Sequence, residues 1–287
     1  MPNTQGTVNH FQPINDSLPS FSVLIAVHIH ELPKRLNMAL ESIWDKQALK
    51  PAEIVLVKDG PLTNELDKII LQFKENAPLK VISLDHNHGM GYAFACGLDH
   101  CSHELVARMD SDDLSKPDRF EKQIRYMNEH PELDIVGSNI EEFANHPDEI
   151  RSHRRLPSTF SKLKSFSKLR CPFNHMTVVF KKSSVLKAGS YQPVRIYEDY
   201  FLWAKMIQNG AIIANIPEYL VVARFDNNQL VRRHGNYIYK QELKLQKELL
   251  QINFLSKWEY SRNLVLRAFP RLLPFWAFKL VYKVLHK

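Results

Sequence analysis

Asp110, Asp112 and Asp113 put three carboxylates into four residues, directly after the apolar run LVARM. Carboxylates this close repel one another unless a cation or hydrogen-bond donors compensate them. Hard oxygen ligands of this kind suit Mg²⁺ or Mn²⁺, which take their remaining ligands from water or a substrate diphosphate. The same residues could also form a solvated turn, with Asp113 or Ser115 capping the next helix. Two further acidic features accompany them. Asp59-Gly60-Pro61 follows EIVLVK and reads as a turn, and Glu198-Asp199 stands where acids favour a helix start. Asn87-His88-Gly89-Met90-Gly91 places glycines before a helix but has neither GxGxxG nor GxxxxGK[ST] spacing, so no dinucleotide or P-loop site is expected. No GxSxG marks a serine nucleophile. His28, His30, His86 and His88 lack a second cluster at ligand spacing and read as scattered polar contacts.

The elements that must position these residues follow from hydrophobic periodicity. Apolar runs at Phe21–Val27, Glu53–Val57, Lys80–Leu84 and Glu104–Met109 read as buried strands. Helical spacing separates them at Pro33–Lys46, Thr63–Lys74 and Gly91–His100, and returns at Pro117–Glu129. Buried strands alternating with amphipathic helices predict an α/β fold, with a mainly parallel central sheet flanked by helices. In such a sheet ligands lie beyond the carboxyl ends of the strands, which is where the acidic features fall. Further strands are expected at Ile135–Phe143, Met176–Phe180, Ala211–Ala214 and Tyr219–Ala223, and a helix at Glu198–Gln208. The chain then divides into a loose arm (1–20), a catalytic-type unit (21–235) and a helical C-terminal region (236–287), broken by Pro270 and Pro274.

The whole chain has 287 residues, 44% hydrophobic and 24% charged, which excludes disordered and fibrous classes. Cys96, Cys101 and Cys171 form no CxxC pair, so neither a disulfide framework nor structural zinc is expected, and a reducing compartment is. Lys+Arg total 38 against 31 Asp+Glu, and the excess is local. Arg151, Arg154, Arg155, Lys162, Lys164, Lys168 and Arg170 form one stretch without an acid. Lys257, Arg262, Arg267, Arg271, Lys279, Lys283 and Lys287 form another, with Glu259 as its single acid. Both imply contact with something anionic: nucleic acid, a membrane or a phosphorylated substrate. Met1–Ser20 lacks the apolar core of a signal peptide, and no window is long and apolar enough to span a bilayer.

In order, VLIAV, ALESI, EIVLVKDGP, NHGMGYA, ARMDSDDLSKPDRFEKQ, HMTVVFKKS, YEDYFLW and QLVRRHG closely resemble the family 2 glycosyltransferases, from Phe21 to Gly235. The resemblance is strongest to the branch that builds bacterial O-antigens, capsules and exopolysaccharides. It implies the GT-A nucleotide-diphospho-sugar transferase fold and an inverting transfer from a UDP-sugar to a saccharide on a lipid diphosphate carrier, with no nucleic acid partner. By that resemblance Asp59 reads the nucleotide base, and Asp110 and Asp112 form the DxD motif that binds Mn²⁺ or Mg²⁺ and the donor. Asp199 is the base, Glu198 and His175 lie on the acceptor side, and Arg232 and Arg233 reach the diphosphate. The sequence departs from the family pattern at Ala26-Val27-His28, at Lys58 and at Ala95. A sugar-1-phosphate nucleotidyltransferase and a non-catalytic glycan- or membrane-binding protein are the alternatives. The expected location is cytoplasmic, peripheral on the inner face of the bacterial inner membrane. Residues 272–287, with Lys279, Lys283 and Lys287 along one side, suit an interfacial helix on an anionic surface. A chain ending near Ser261 is expected to keep its activity.

Overall fold

A computed structural model describes residues 18–192, 196–225 and 231–285. Most of the expected arm, at residues 1–17, lies outside the described residues. Four parallel strands form one half of a nine-stranded sheet: β1 (Phe21–Val27), β2 (Glu53–Lys58), β3 (Leu79–Ser83) and β4 (Leu105–Asp110), ordered β3-β2-β1-β4. Every residue of β1 is buried because both faces of the sheet are covered. Leu24 and Ala26 face a core with α3 (Met90–Asp99), whereas Val23, Ile25 and Val27 face α1 (Pro33–Ile43), α2 (Asn64–Lys74) and α4 (Arg119–Glu129). Gly97 lets α3 lie close against the sheet, since a Cβ there would sit 2.5 Å from Leu24 and 2.6 Å from Val57.

Beyond β4 the sheet becomes mixed, while most of its paired residues remain in parallel ladders. The strands are β5 (Leu114–Ser115), β6 (Ile135–Phe143), β7 (Ile150–Arg154), β8 (Val179–Lys181) and β9 (Ile213–Arg224). β8 runs antiparallel to both β4 and β6, β9 is parallel to β6, and β5 and β7 add antiparallel pairs. Short apolar runs reveal burial but not direction, so the sequence did not distinguish these arrangements. The two strands expected at 211–214 and 219–223 are one strand. Its register slips opposite Ser138 and Asn139, past Pro217, which has no N–H for the ladder. The basic stretch 151–170 is partly structured, as β7 and α5 (Phe160–Ser167).

After α6 (Lys182–Lys187) and α7 (Glu198–Gln208) come α8 (Asn236–Gln251), α9 (Lys257–Asn263) and α10 (Phe275–Leu285). Ser256 and Glu259 close a capping box at the start of α9. Leu245 and Leu249 of α8, with Phe254 and Leu255, belong to the same core as Phe180 and Trp203. The change at residue 235 is therefore one of secondary structure and does not interrupt the core.

Candidate active site

Parallel pairing aligns Ala26 with Asp110 and Val27 with Lys58, so the ends of β1, β2 and β4 deliver their following residues to one edge. Arg108 and Asp110 are two apart on β4 and therefore share a face. Arg108 Nη2 pairs with Asp110 Oδ1 at 2.6 Å. Arg108 is only 3% exposed, its guanidinium lies 4.6 Å from the Phe94 ring, and its Nε and Nη1 have no hydrogen-bond partner among the described residues. Behind it, the buried Arg119 donates through Nη2 to the Arg108 carbonyl (2.8 Å) and through Nε to Gln123 (2.9 Å).

Neither Asp113 nor Ser115 caps α4, whose first turn begins after Asp118 without a side-chain cap. Asp113 instead accepts the Arg224 backbone N–H of β9 at 2.7 Å, and Ser115 bonds to Ser42 and Gln47. Ser111 Oγ donates to Glu31 Oε2 at 2.7 Å, which brings a fourth carboxylate to the edge. Burial, then the charges of Asp110 and Glu31, push Asp112 up to about 7. Burial, then Asp110 and Asp112, hold Asp113 well above the usual carboxylate range. This edge carries more negative charge than Arg35, Arg108 and Arg224 relieve, and its donors are hard oxygens. It fits a divalent cation. The aspartates are not gathered into a cage, and Mg²⁺ or Mn²⁺ bound with a diphosphate requires only one or two carboxylates.

Asp59 has a definite structural task. It is buried, and its Oδ1 and Oδ2 accept the backbone N–H groups of His88 (2.8 Å) and Gly89 (3.0 Å), clipping the loop before α3 to the end of β2. Gly60, at φ +89°, allows the turn, because a Cβ there would lie 2.8 Å from Asn87 N. On this loop Asp85, His86 and His88 bring ligating atoms within 4.8 Å of one another, so two of the histidines read as scattered do form a cluster. Asp85 Oδ1 already bonds both rings, at 3.0 and 2.9 Å.

Glu198 and Asp199 open α7. Tyr197 before them is left-handed (φ +71°), and the start of α3 abuts the same turn: a Cβ on Gly91 would lie 3.3 Å from Glu198 Cβ. Asp199 Oδ1 accepts the Tyr200 N–H (2.7 Å), and the Cys171 thiol approaches its Oδ2 at 3.6 Å. Burial raises both carboxyls, Glu198 to about 7 with Asp199 as the next cause, while Arg108 works against the rise in each. His175 Nε2 lies 3.0 Å from the Tyr191 hydroxyl, and burial together with Arg108 keeps its ring neutral. Arg232 and Arg233 follow β9, and the Arg233 carbonyl accepts from Arg271 Nη1 at 2.6 Å. Gln229 and Leu230 of the QLVRRHG run lie outside the described residues.

These two acidic groups, with Arg108 between them electrostatically, lie within or beside a stretch that matches a known family. Residues 22–193 match Glycosyl transferase family 2. The chain belongs to that family. It is 38% identical over 261 residues to an Escherichia coli UDP-Gal:alpha-D-GlcNAc-diphosphoundecaprenol beta-1,3-galactosyltransferase, covering 91% of this chain and 94% of that one. It is 39% identical over 264 residues to the amylovoran biosynthesis glycosyltransferase AmsE of Erwinia amylovora, covering 92% and 98%. Among solved structures, S. aureus TarS 1-349 in complex with UDP-GlcNAc superposes with a TM-score of 0.66 at 18% identity, over 88% of this chain and 73% of that one. The mannosyltransferase PcManGT from Pyrobaculum calidifontis, in complex with GDP-Man and Mn²⁺, gives 0.65 at 16% identity, over 94% and 75%. The GT-A expectation holds, and the protein is a glycosyltransferase rather than a nucleotidyltransferase.

Within this candidate site, sequence reasoning missed Arg108, Glu31, Cys171 and Tyr191. Arg108 had a signal: a charged residue inside an otherwise buried apolar strand must have a partner. The other three are brought in by tertiary packing and had none.

Proposed function

We propose that this glycosyltransferase is an inverting, divalent-cation-dependent hexosyltransferase. It moves a hexose or N-acetylhexosamine from a UDP-sugar to a hydroxyl of a saccharide on a lipid diphosphate carrier, in bacterial surface polysaccharide synthesis. The observation that carries the reading is the pair of acidic groups, Asp110–Asp112 and Glu198–Asp199, with the buried Arg108 acting on both. The relatives at 38–39% identity add the substrate class through their names.

In this reading Asp112, with Asp110, holds Mn²⁺ or Mg²⁺. Bound there, the cation would offset negative charge on the departing diphosphate. Asp59 and the loop it fixes border the nucleotide base, and Arg232 and Arg233 approach the diphosphate. Asp199 takes the acceptor hydroxyl proton as that oxygen bonds to the anomeric carbon, while the bond to UDP breaks and its electron pair leaves with UDP. One displacement assisted by one base inverts the anomeric centre. Glu198 and the neutral His175 lie on the acceptor side.

Location follows from the C-terminal surface. No helix among the described residues is long and apolar enough to cross a membrane. Trp276 (69% exposed), Leu280 (60%) and Trp258 (74%) nevertheless face outward near the exposed Lys257 and Lys279. Aromatic and aliphatic side chains beside lysines suit an anionic bilayer surface, which would place the enzyme on the cytoplasmic face next to a lipid-linked acceptor. The test of the central assignment is Asp199→Asn. It should keep UDP and cation affinity while transfer falls by roughly 10²–10⁴. Collapse of donor affinity instead would make Asp199 a donor-site residue.

A further inference from the structure

The C-terminal helices carry a charged cluster that the proposed chemistry does not use. Glu242 of α8 is fully buried. Its carboxylate accepts from Arg267 Nε (2.8 Å) and Nη2 (3.1 Å), Arg271 Nη2 (2.7 Å) and Gln246 Nε2 (2.8 Å). A buried ion group of this kind is tolerable only when well hydrogen-bonded. Here further N–H groups of both arginines reach the catalytic half: Arg267 Nη1 donates to the Leu169 carbonyl and Arg271 Nη1 to the Arg233 carbonyl.

Two parts of the candidate site rest on this cluster. The first is the opening turn of α7. The Arg271 guanidinium lies 6.0 Å from the Tyr197 ring and that of Arg267 lies 5.4 Å from the Tyr200 ring. Tyr197 and Tyr200, three residues apart, are therefore held from behind in the turn that presents Glu198 and Asp199. Ile196 and Tyr197 both have positive φ, at 67° and 71°, a backbone that persists only where its surroundings impose it. The second part is the Arg232–Arg233 segment. Besides the Arg271 bond to the Arg233 carbonyl, Gly235 N donates to the Arg271 carbonyl (3.1 Å), and His234 Nε2 lies 2.7 Å from the Leu273 carbonyl.

We infer that Glu242, Arg267 and Arg271 form a positioning cluster that sets both the Glu198–Asp199 turn and the Arg232–Arg233 segment. The C-terminal helices are then a working support of the site as well as its outward surface. The inference rests on the reading of Asp199 as the base.

Full-length Arg271→Met, Arg271→Lys and Tyr197→Phe test it against wild type. The readouts are kcat, KM for the UDP-sugar and the pH profile of kcat, with folding followed by circular dichroism. In Arg271→Met, kcat should fall by up to about 10²-fold, the cost of a small misplacement of a catalytic group. The pH profile should shift and the donor KM rise, with partial rescue in Arg271→Lys. Tyr197→Phe, which keeps the ring but loses the hydroxyl's hydrogen bond to Glu242, should lower kcat less. A folded Arg271→Met with wild-type kcat, KM and pH profile overturns the inference. If that variant does not fold, wild-type kinetics in Tyr197→Phe overturn it instead. Asp199→Asn, run alongside, separates the premise. Wild-type turnover there removes the base assignment, and the cluster is then judged by the donor KM of Arg271→Met alone.

Discussion

At the scale of single residues, the site sets a surplus of carboxylates against few guanidinium groups, with the buried Arg108 paired directly to Asp110. Asp112 is held up to about 7, so protons and a divalent cation should compete for it. Cation affinity should rise with pH up to about 7 and flatten above it, because only the ionised carboxylate is a ligand. Calorimetric titration of Mn²⁺ with UDP between pH 5.5 and 8.5 checks this. A pH-independent affinity would separate Asp112 from the cation. Asp112→Asn should lower both cation-dependent UDP binding and turnover, and EDTA should do the same to wild type. Full activity in EDTA would remove the metal role. Arg108→Met should be worse than a surface change of the same size, since it leaves Asp110 unpaired within reach of the Glu198 charge. Loss of a fully buried charge partner costs about 3–5 kcal/mol. The cost here should be smaller because Asp110 is partly exposed, and a thermal melt reads it. Asp59 and Asp110–Asp113 were legible because charge directly after an apolar strand is conspicuous, and Glu198–Asp199 because paired acids suit a helix start. The cysteine beside Asp199 and the serine-held Glu31 were not, because they meet the site only through packing between segments far apart in sequence.

At the scale of elements, the first four strands and their helices were legible from alternating periods, since burial on both sheet faces leaves continuous apolar runs. The join at Pro217 was not, because a proline between two apolar runs reads equally as a turn or as a slip within one strand. The C-terminal helices were read as helix, but their attachment was not, since Glu242 sits in a charged stretch whose partners lie 25 and 29 residues away. Burial alone would raise the Glu242 carboxyl, but Arg267 and Arg271 bring it down to about 2. The folded value lies below the unfolded one, so this stabilisation is complete above about pH 4.5 and is lost as pH falls towards 2. It is worth about 3 kcal/mol. Acid denaturation of Glu242→Gln should therefore lose this share of the wild-type pH dependence in that window, the rest coming from other carboxyls held low, such as Asp85, Glu53, Asp118 and Glu259. An unchanged acid transition would show that Glu242 carries none of it.

At the scale of the whole molecule, the same helices both brace the site and face outward. The cut near Ser261 would remove Arg267 and Arg271 and leave Glu242 buried without its partners, so it would damage the core as well as the surface. Phe278 also turns inward, packing its ring 5.1 Å from that of His234. The surface is better probed by the outward residues. Trp276→Ser with Leu280→Ser should lose binding to anionic vesicles while keeping turnover on a soluble acceptor, as a sedimentation assay would show. Undiminished vesicle binding would move attachment to the basic stretch 151–170. The most direct test of the account combines donor and acceptor. Purified protein with Mn²⁺, a panel of UDP-hexoses and UDP-N-acetylhexosamines, and a saccharide on a lipid diphosphate should yield a product heavier by one sugar residue. That product should appear with one of the donors, with UDP released and the anomeric configuration opposite to the donor's by NMR. Retained configuration, or UDP release with no glycosylated product from any donor, would contradict it.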